Sequence, residues 1–288
     1  MQFYLTDVFT DRRYAGNPLA VFVEESGLTD GLRQAIAREI GFSETTFVDP
    51  TPAPDGSWNV RIFTPDKEIP FAGHPTLGTA DVIYRHLGSA GDRVVLALGV
   101  GAIPVARQHG RWVMDQKAPS FGPVLADRGG AAGLLGLDVR DLDPSLPVRY
   151  VSTGLPCLVL PLQSLAALDR CRVDHRAYER WLADVGPGNV AAWTRGSTDP
   201  GCDLSARVFV DDTGFYEDPA TGSAAGNLAG YLVEHVVFGD GPLSVVESQG
   251  GQMGRPSRLY LEAHREAGSI RIRVGGAVVP VASGQWPI

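Results

Sequence analysis

The segment His74-Pro75-Thr76-Leu77-Gly78-Thr79-Ala80 lines up without gaps on Asp218-Pro219-Ala220-Thr221-Gly222-Ser223-Ala224, 144 residues away, and 144 is half of the chain's 288. Upstream, Val60-Arg61-Ile62-Phe63 matches Ala206-Arg207-Val208-Phe209, and Asn17-Pro18-Leu19-Ala20-Val21 echoes Leu155-Pro156-Cys157-Leu158-Val159. A strand-like run before each match and a helix-like run after it point to a duplicated unit. Two pseudo-equivalent domains are the expectation, and a site built by both would lie in the cleft between them. The seam falls near Gln116 to Pro123, where strand patterning yields to Pro and Gly.

Short apolar runs recur between turns: Phe3-Leu5, Leu19-Phe22, Thr45-Val48, Val60-Phe63, Val94-Ala97 and Trp112-Met114. They predict a sheet. Helical spacing is confined to a few places. One is Leu32 to Ile40, stopped by Gly41; a second begins after His74 and ends at Gly88. A third is expected to begin after Asp218, with Ala225, Leu228, Leu232 and Val236 inward and Gly239 beyond it. Its small residues, Gly222, Ala224, Ala225, Gly226, Ala229 and Gly230, allow other backbone to approach closely, which implies burial inside sheet.

Composition sets the outer limits. With 44% hydrophobic and 20% charged residues and a mean hydropathy of −0.02, the chain is a globular protein with ample core. Net charge is −8 with scattered basic residues, so no footprint for nucleic acid is visible. No stretch reaches the length of a membrane span and the N-terminus lacks a secretory pattern, so a cytoplasmic location is the expectation. Cys157, Cys171 and Cys202 form no CxxC pair and are expected to be free thiols. The six histidines show no HExxH or HxxxH spacing, so no metal site and no cofactor site are proposed. Gly99-Val100-Gly101 lacks the third glycine of a dinucleotide fingerprint and reads as a hairpin turn.

In each repeat a polar residue, His74 or Asp218, precedes a proline, which suits a first helical position. Two helix N-termini with free N–H groups would favour a small anionic ligand and an enolate-like intermediate. Asp218 is also an ideal N-cap and would be expected there without any catalytic task. His74 is a poor cap, so its place is harder to explain as structure. Glu44 stands at the mouth of the strand Thr45-Val48; by spacing alone it reads as a solvated strand-end acid, whereas burial in an apolar cleft would raise its pKa and make it a competent acid/base near neutral pH. The Gly-rich run Glu247 to Ser257 is either a plain connection, a pocket lining or a support for the third helix.

Taken together, these segments resemble the PhzF family of phenazine-biosynthesis-type isomerases, which share the diaminopimelate epimerase-like fold. The carriers are Asp7-Val8-Phe9-Thr10, Ala15-Gly16-Asn17-Pro18-Leu19-Ala20-Val21, Ser43-Glu44-Thr45-Thr46-Phe47, Phe71-Ala72-Gly73-His74-Pro75-Thr76-Leu77-Gly78, Ser152-Thr153-Gly154-Leu155-Pro156, Asp218-Pro219-Ala220-Thr221-Gly222-Ser223-Ala224, and Gln249-Gly250 through Gly254-Arg255-Pro256-Ser257. The resemblance implies an α/β (α+β) chain of two domains, each a curled β-sheet around a central helix. These are residues 1–118, with the C-terminal strand 275–288, and residues 119–274. It also implies a homodimer, no cofactor, and an active site at the domain interface.

By the same resemblance Glu44 is the acid/base, against the reading from spacing alone. His74 and Asp218 contact and orient the substrate, and Ser43, Gly73, Gly222 and Ser223 supply hydrogen-bonding surroundings. Related epimerases place a cysteine at the start of each central helix, and neither start has one here. The expected reaction is therefore allylic or tautomeric isomerisation of a small unsaturated amino or hydroxy acid. The alternatives are an amino-acid racemase or epimerase, or a non-catalytic binding module on the same fold.

Overall fold

The computed structural model describes residues 1–24, 27–89, 91–184, 188–211 and 215–288. They form two compact units, Met1–Asp115 with Gly275–Ile288, and Gln116–Val274.

In the first unit β1 (Gln2–Val8) pairs antiparallel with β2 (Asn17–Val23) on one side and with the C-terminal strand Val278–Gln285 on the other. Helix α1 (Asp30–Ile40) carries the chain to β3 (Thr45–Val48), parallel to β2. The bounds of α1 follow from its ends: Thr29 accepts the Leu32 N–H, and Gly41, at φ 69°, takes the left-handed turn that side chains resist. β4 (Trp58–Phe63) runs antiparallel to β3 and forms a hairpin with the short β5 (Glu68–Ile69). Helix α2 (Gly73–His86) then crosses to β6 (Arg93–Leu98), parallel to β4, followed by β7 (Gly101–Gln108) and β8 (Arg111–Gln116). The turn at Gly99–Val100 joins β6 to β7 as a hairpin, with Leu98 opposite Gly101. Every residue of α2 from Gly73 to Ile83 is buried, so this helix is core on all sides. The other face of the sheet packs under α1, where Phe22, Phe47 and Phe63 meet ring to ring.

The second unit opens with β9 (Ser120–Val124) and the short α3 (Arg128–Gly133), then β10 (Arg149–Ser152) and β11 (Pro156–Pro161). Helices α4 (Leu165–Arg170) and α5 (His175–Asp184) lead to β12 (Asn189–Arg195), parallel to β11. β13 (Leu204–Asp211) pairs antiparallel with β12 and forms a hairpin with β14 (Phe215–Asp218). Helix α6 (Gly222–Glu234) crosses to β15 (Leu243–Gln249), parallel to β13, and β16 (Ser257–Glu266) and β17 (Ser269–Gly276) follow; the C-terminal β18 (Val278–Gln285) is the strand already paired with β1 in the first unit. α6 is buried from Ala224 to Leu232. Two of its glycines sit where a side chain would be crowded: a Cβ on Gly226 would stand 3.0 Å from Gln116 Cγ, and one on Gly230 2.9 Å from Pro119 Cβ.

The pairing sequence repeats element for element: two antiparallel neighbours, a parallel crossover, an antiparallel partner with a short hairpin, then a parallel crossover through a buried helix. Each half is thus a curled sheet around a central helix, and α2 corresponds to α6 as β5 does to β14. The residue correspondence differs from the gapless match, however. Each central helix starts four residues after its hairpin strand ends, Gly73 after Ile69 and Gly222 after Asp218. His74 therefore corresponds to Ser223, and Asp218 to Ile69, a slip of five residues. Asp218 is not the residue before a helix. It closes β14 opposite Val208, and Thr221 is the N-cap.

Two smaller expectations also change. α6 ends at Glu234, and Val236, expected inward, is exposed at φ 51°. Part of the expected Pro/Gly seam is strand: β9 pairs with β10 across a register shift that absorbs Gly122 and Pro123.

Candidate active site

In the first unit, the stop at Gly41 delivers Glu44 to the N-terminal end of β3. Because β3 is parallel to β2, with Thr45 beside Ala20, that end lies by Asn17 and Pro18. The Ser43 hydroxyl donates to Asn17 Oδ1 at 3.3 Å, and Asn17 is fully buried. The first turn of α2 brings His74 to the same place, its Nε2 3.6 Å from Glu44 Oε2, with side-chain exposures of 5% and 18%. Among the described residues Nε2 has no hydrogen-bond partner, while a hydrogen bond to the Pro18 backbone engages the other ring nitrogen. Burial lowers the His74 pKa to about 3, with the Pro18 bond opposing, so the imidazole is neutral at physiological pH. A neutral ring with a bare nitrogen beside a mostly buried carboxylate can accept a hydrogen bond and orient a polar group, while its lowered pKa makes it a poor proton carrier near neutral pH.

The start of α2 is open for a chemical reason. Its N-cap is Ala72, which has no side-chain oxygen to offer, whereas α1, α3 and α4 are capped by Thr29, Asp127 and Ser164. α6 also lacks a side-chain cap bond although Thr221 occupies the position. The two buried central helices thus present first-turn N–H groups that no capping side chain satisfies, and such groups favour anions.

In the second unit the loop from Asp218 to Gly222 is held from behind. Thr221 donates its hydroxyl to Asp218 Oδ2 at 2.5 Å; Gln249 Oε1 accepts the Thr221 N–H at 3.1 Å, and Gln249 Nε2 donates to the Asp218 carbonyl at 2.7 Å. The Ser257 hydroxyl donates to the Pro219 carbonyl at 3.0 Å. Gly250, at φ 75°, lies so close that a Cβ would stand 2.5 Å from both the Pro219 and Arg255 carbonyl oxygens. The Gly-rich run from Glu247 to Ser257 is therefore a support for the chain entering α6. Asp218 and Gly222 are buried, and Ser223 is half-buried.

Glu44, His74, Ser43 and Gly73 thus gather in the first unit, and Asp218, Gly222 and Ser223 in the second. Asn17, Thr221 and Gln249 join these residues. All three stand in segments that the sequence marks, but only contacts distant in sequence reveal what they hold. Among the described residues no three of His, Cys, Asp and Glu cluster to hold a metal ion. Cys157 and Cys171 are buried, and burial pushes both thiols up, the second to about 12, so neither is a thiolate at neutral pH.

The family described as phenazine biosynthesis-like proteins, PhzC-PhzF, matches residues 6–284. The chain belongs to this family. An uncharacterised isomerase of Mesorhizobium japonicum is 36% identical over 98% of the chain and 97% of its own length. The trans-2,3-dihydro-3-hydroxyanthranilate isomerase of Pseudomonas aeruginosa is 36% identical over 91% of the chain and 90% of its own. The crystal structure of a PhzF family phenazine biosynthesis protein from Bacillus anthracis superposes with a TM-score of 0.91 at 26% identity, covering 100% of this chain and 99% of that one. As a PhzF family member the chain is an isomerase, and its two curled sheets around central helices are the fold of the family.

Proposed function

We propose that the protein moves a proton between carbons of a small unsaturated carboxylic acid bearing an amino or hydroxyl group, with Glu44 as the acid/base. The observation that carries this reading is the Glu44 carboxylate 3.6 Å from a neutral, buried His74 at the uncapped start of α2. Glu44 takes a proton from an sp³ carbon of the substrate, the electron pair shifts into the conjugated system, and the same carboxyl returns the proton to another carbon. Charge develops on the substrate between the two transfers, and the first-turn N–H groups of α2 favour it. His74 and Asp218 orient the substrate, with Ser43, Gly73, Gly222 and Ser223 as hydrogen-bonding surroundings.

One carboxyl accounts for both proton transfers, so the reaction requires neither metal nor coenzyme. The elevated thiol pKa values of Cys157 and Cys171, and the lack of cysteine at either central helix start, favour isomerisation over racemisation by a thiol pair. The substrate named for the Pseudomonas aeruginosa relative, trans-2,3-dihydro-3-hydroxyanthranilate, is the first compound to try. The same reading takes the protein to act as a cytoplasmic homodimer, following the family resemblance.

The test is a panel of unsaturated cyclic amino and hydroxy acids incubated in deuterated water and followed by NMR. Isomerised product with deuterium at the carbon that receives the proton is expected, and Glu44→Gln should lower the rate by about 10²–10⁴-fold, the usual worth of a positioned acid/base. Equal turnover by both proteins would remove Glu44 from the mechanism. Inversion at an α-carbon would show an epimerase instead.

A further inference from the structure

Thr221 holds the N-cap position of α6, where a threonine hydroxyl ordinarily accepts an N–H from the first turn. This one is used otherwise. It accepts from Gln249 Nε2 at 3.2 Å and donates to Asp218 Oδ2 at 2.5 Å. The orientation of the Gln249 amide follows from its partners: Oε1 faces a backbone N–H donor, that of Thr221, and Nε2 faces the Asp218 carbonyl. With Nε2 donating to the hydroxyl oxygen, the hydroxyl's single proton points to Asp218. The chain of donors runs one way, from Gln249 through Thr221 to the carboxylate.

The amide is 1% exposed and every polar atom of it is occupied, so it has no alternative partner in water. It also grips the Asp218 backbone, fixing the residue at its carbonyl as well as through its side chain. A hydrogen bond donated to the ionised form of an acid favours that form. The cost is an uncapped central helix, which is what a ligand-binding first turn requires.

We propose that Thr221 and Gln249 are positioning residues that hold the Asp218 carboxylate ionised and in one orientation, as an acceptor for donor groups on the substrate. The substrate-orienting part of this inference rests on the reading of Asp218 given above; the relay itself does not. It is tested in the free protein by ¹³C NMR titration of aspartate-Cγ-labelled chain, with Asp218→Asn assigning the resonance. Thr221→Val and Gln249→Met should each raise the Asp218 midpoint by about half to one pH unit, roughly three- to tenfold in proton affinity, and Thr221→Ser should leave it in place.

Unshifted midpoints in both folded variants overturn the relay, and either variant suffices if the other fails to fold. Turnover of trans-2,3-dihydro-3-hydroxyanthranilate separates the two ideas. Asp218→Asn at full activity would sink the substrate-orienting role while the titration result stood. Impaired Asp218→Asn with unshifted Thr221→Val and Gln249→Met would sink the relay alone.

Discussion

Glu247 carries a carboxyl group into the interior of the second unit. It lies on β15 between Leu204 of β13 and Leu259 of β16, is 0% exposed, and neither carboxyl oxygen has a hydrogen-bond partner among the described residues. Burial raises its pKa from 4.5 to about 8, so the folded protein carries it protonated at neutral pH. Below pH 4.5 the group is protonated in folded and unfolded chains alike and has no effect on the pH dependence. Between 4.5 and 8 the unfolded chain releases a proton that the folded chain retains, and stability falls as pH rises, by at most ~1.4 kcal/mol per pH unit; above 8 the loss is complete. Glu247→Gln should therefore gain stability over the parent steadily from pH 5 to pH 8 in urea unfolding. A stability difference that stays constant over that range would show that the carboxyl is satisfied in some other way.

At the scale of elements, the central helices are specified by what they exclude. A Cβ on Gly78 of α2 would stand 2.5 Å from Leu19 Cδ2 and 2.9 Å from Val8 Cγ2, both core side chains of the sheet around it. Gly78→Ala gains helix propensity worth about 1 kcal/mol but overfills a packed interior, which typically costs about 1–3 kcal/mol, so a net loss of roughly 1 kcal/mol is expected. Gly31 in α1 is the contrast: it is exposed, nothing lies within 4 Å of its added Cβ, and Gly31→Ala should be neutral or stabilising. Opposite signs in chemical denaturation would bear out the distinction between a helix inside a sheet and one lying on it. Equal effects would show that propensity alone governs both positions. α1 was legible from sequence because its apolar face and Gly41 stop are local signals, although the Thr29 cap, and with it the start at Asp30, came from the structure. The start of α6 was not, because the ladder that keeps Asp218 in β14 comes from Val208 and the amide that steadies Thr221 comes from Gln249.

At the scale of the whole chain, the two ends meet within the first unit. The Met1 ammonium donates to the Trp286 carbonyl at 2.9 Å, the Trp286 N–H returns a bond to Met1 at 2.8 Å, and the indole packs edge-on against Phe3 and Phe22. The first unit is thus completed by Gly275–Ile288, separated in sequence from Asp115 by the whole of the second unit. Trp286→Ala should destabilise the protein by about 2 kcal/mol through lost aromatic packing, read as a lowered thermal midpoint. An unchanged midpoint would show that the C-terminal strand contributes pairing without core.

The sequence by itself determined that the chain is duplicated, that each half is mostly sheet with one buried helix, and which segments carry polar residues worth suspecting. Hydrophobic period, glycine stops and proline positions are local, and each acts within a few residues of where it is written. Only the tertiary structure decided the register of the repeat, pairing His74 with Ser223 and leaving Asp218 in a strand. It also made β9 a strand, because Arg149 donates to the Gly122 carbonyl and the ladder to β10 tolerates a bulge at Pro123. The neutrality of His74 and the relay behind Asp218 belong to the same class. Burial and hydrogen-bond partners from distant segments set them, and no periodicity within one segment records either.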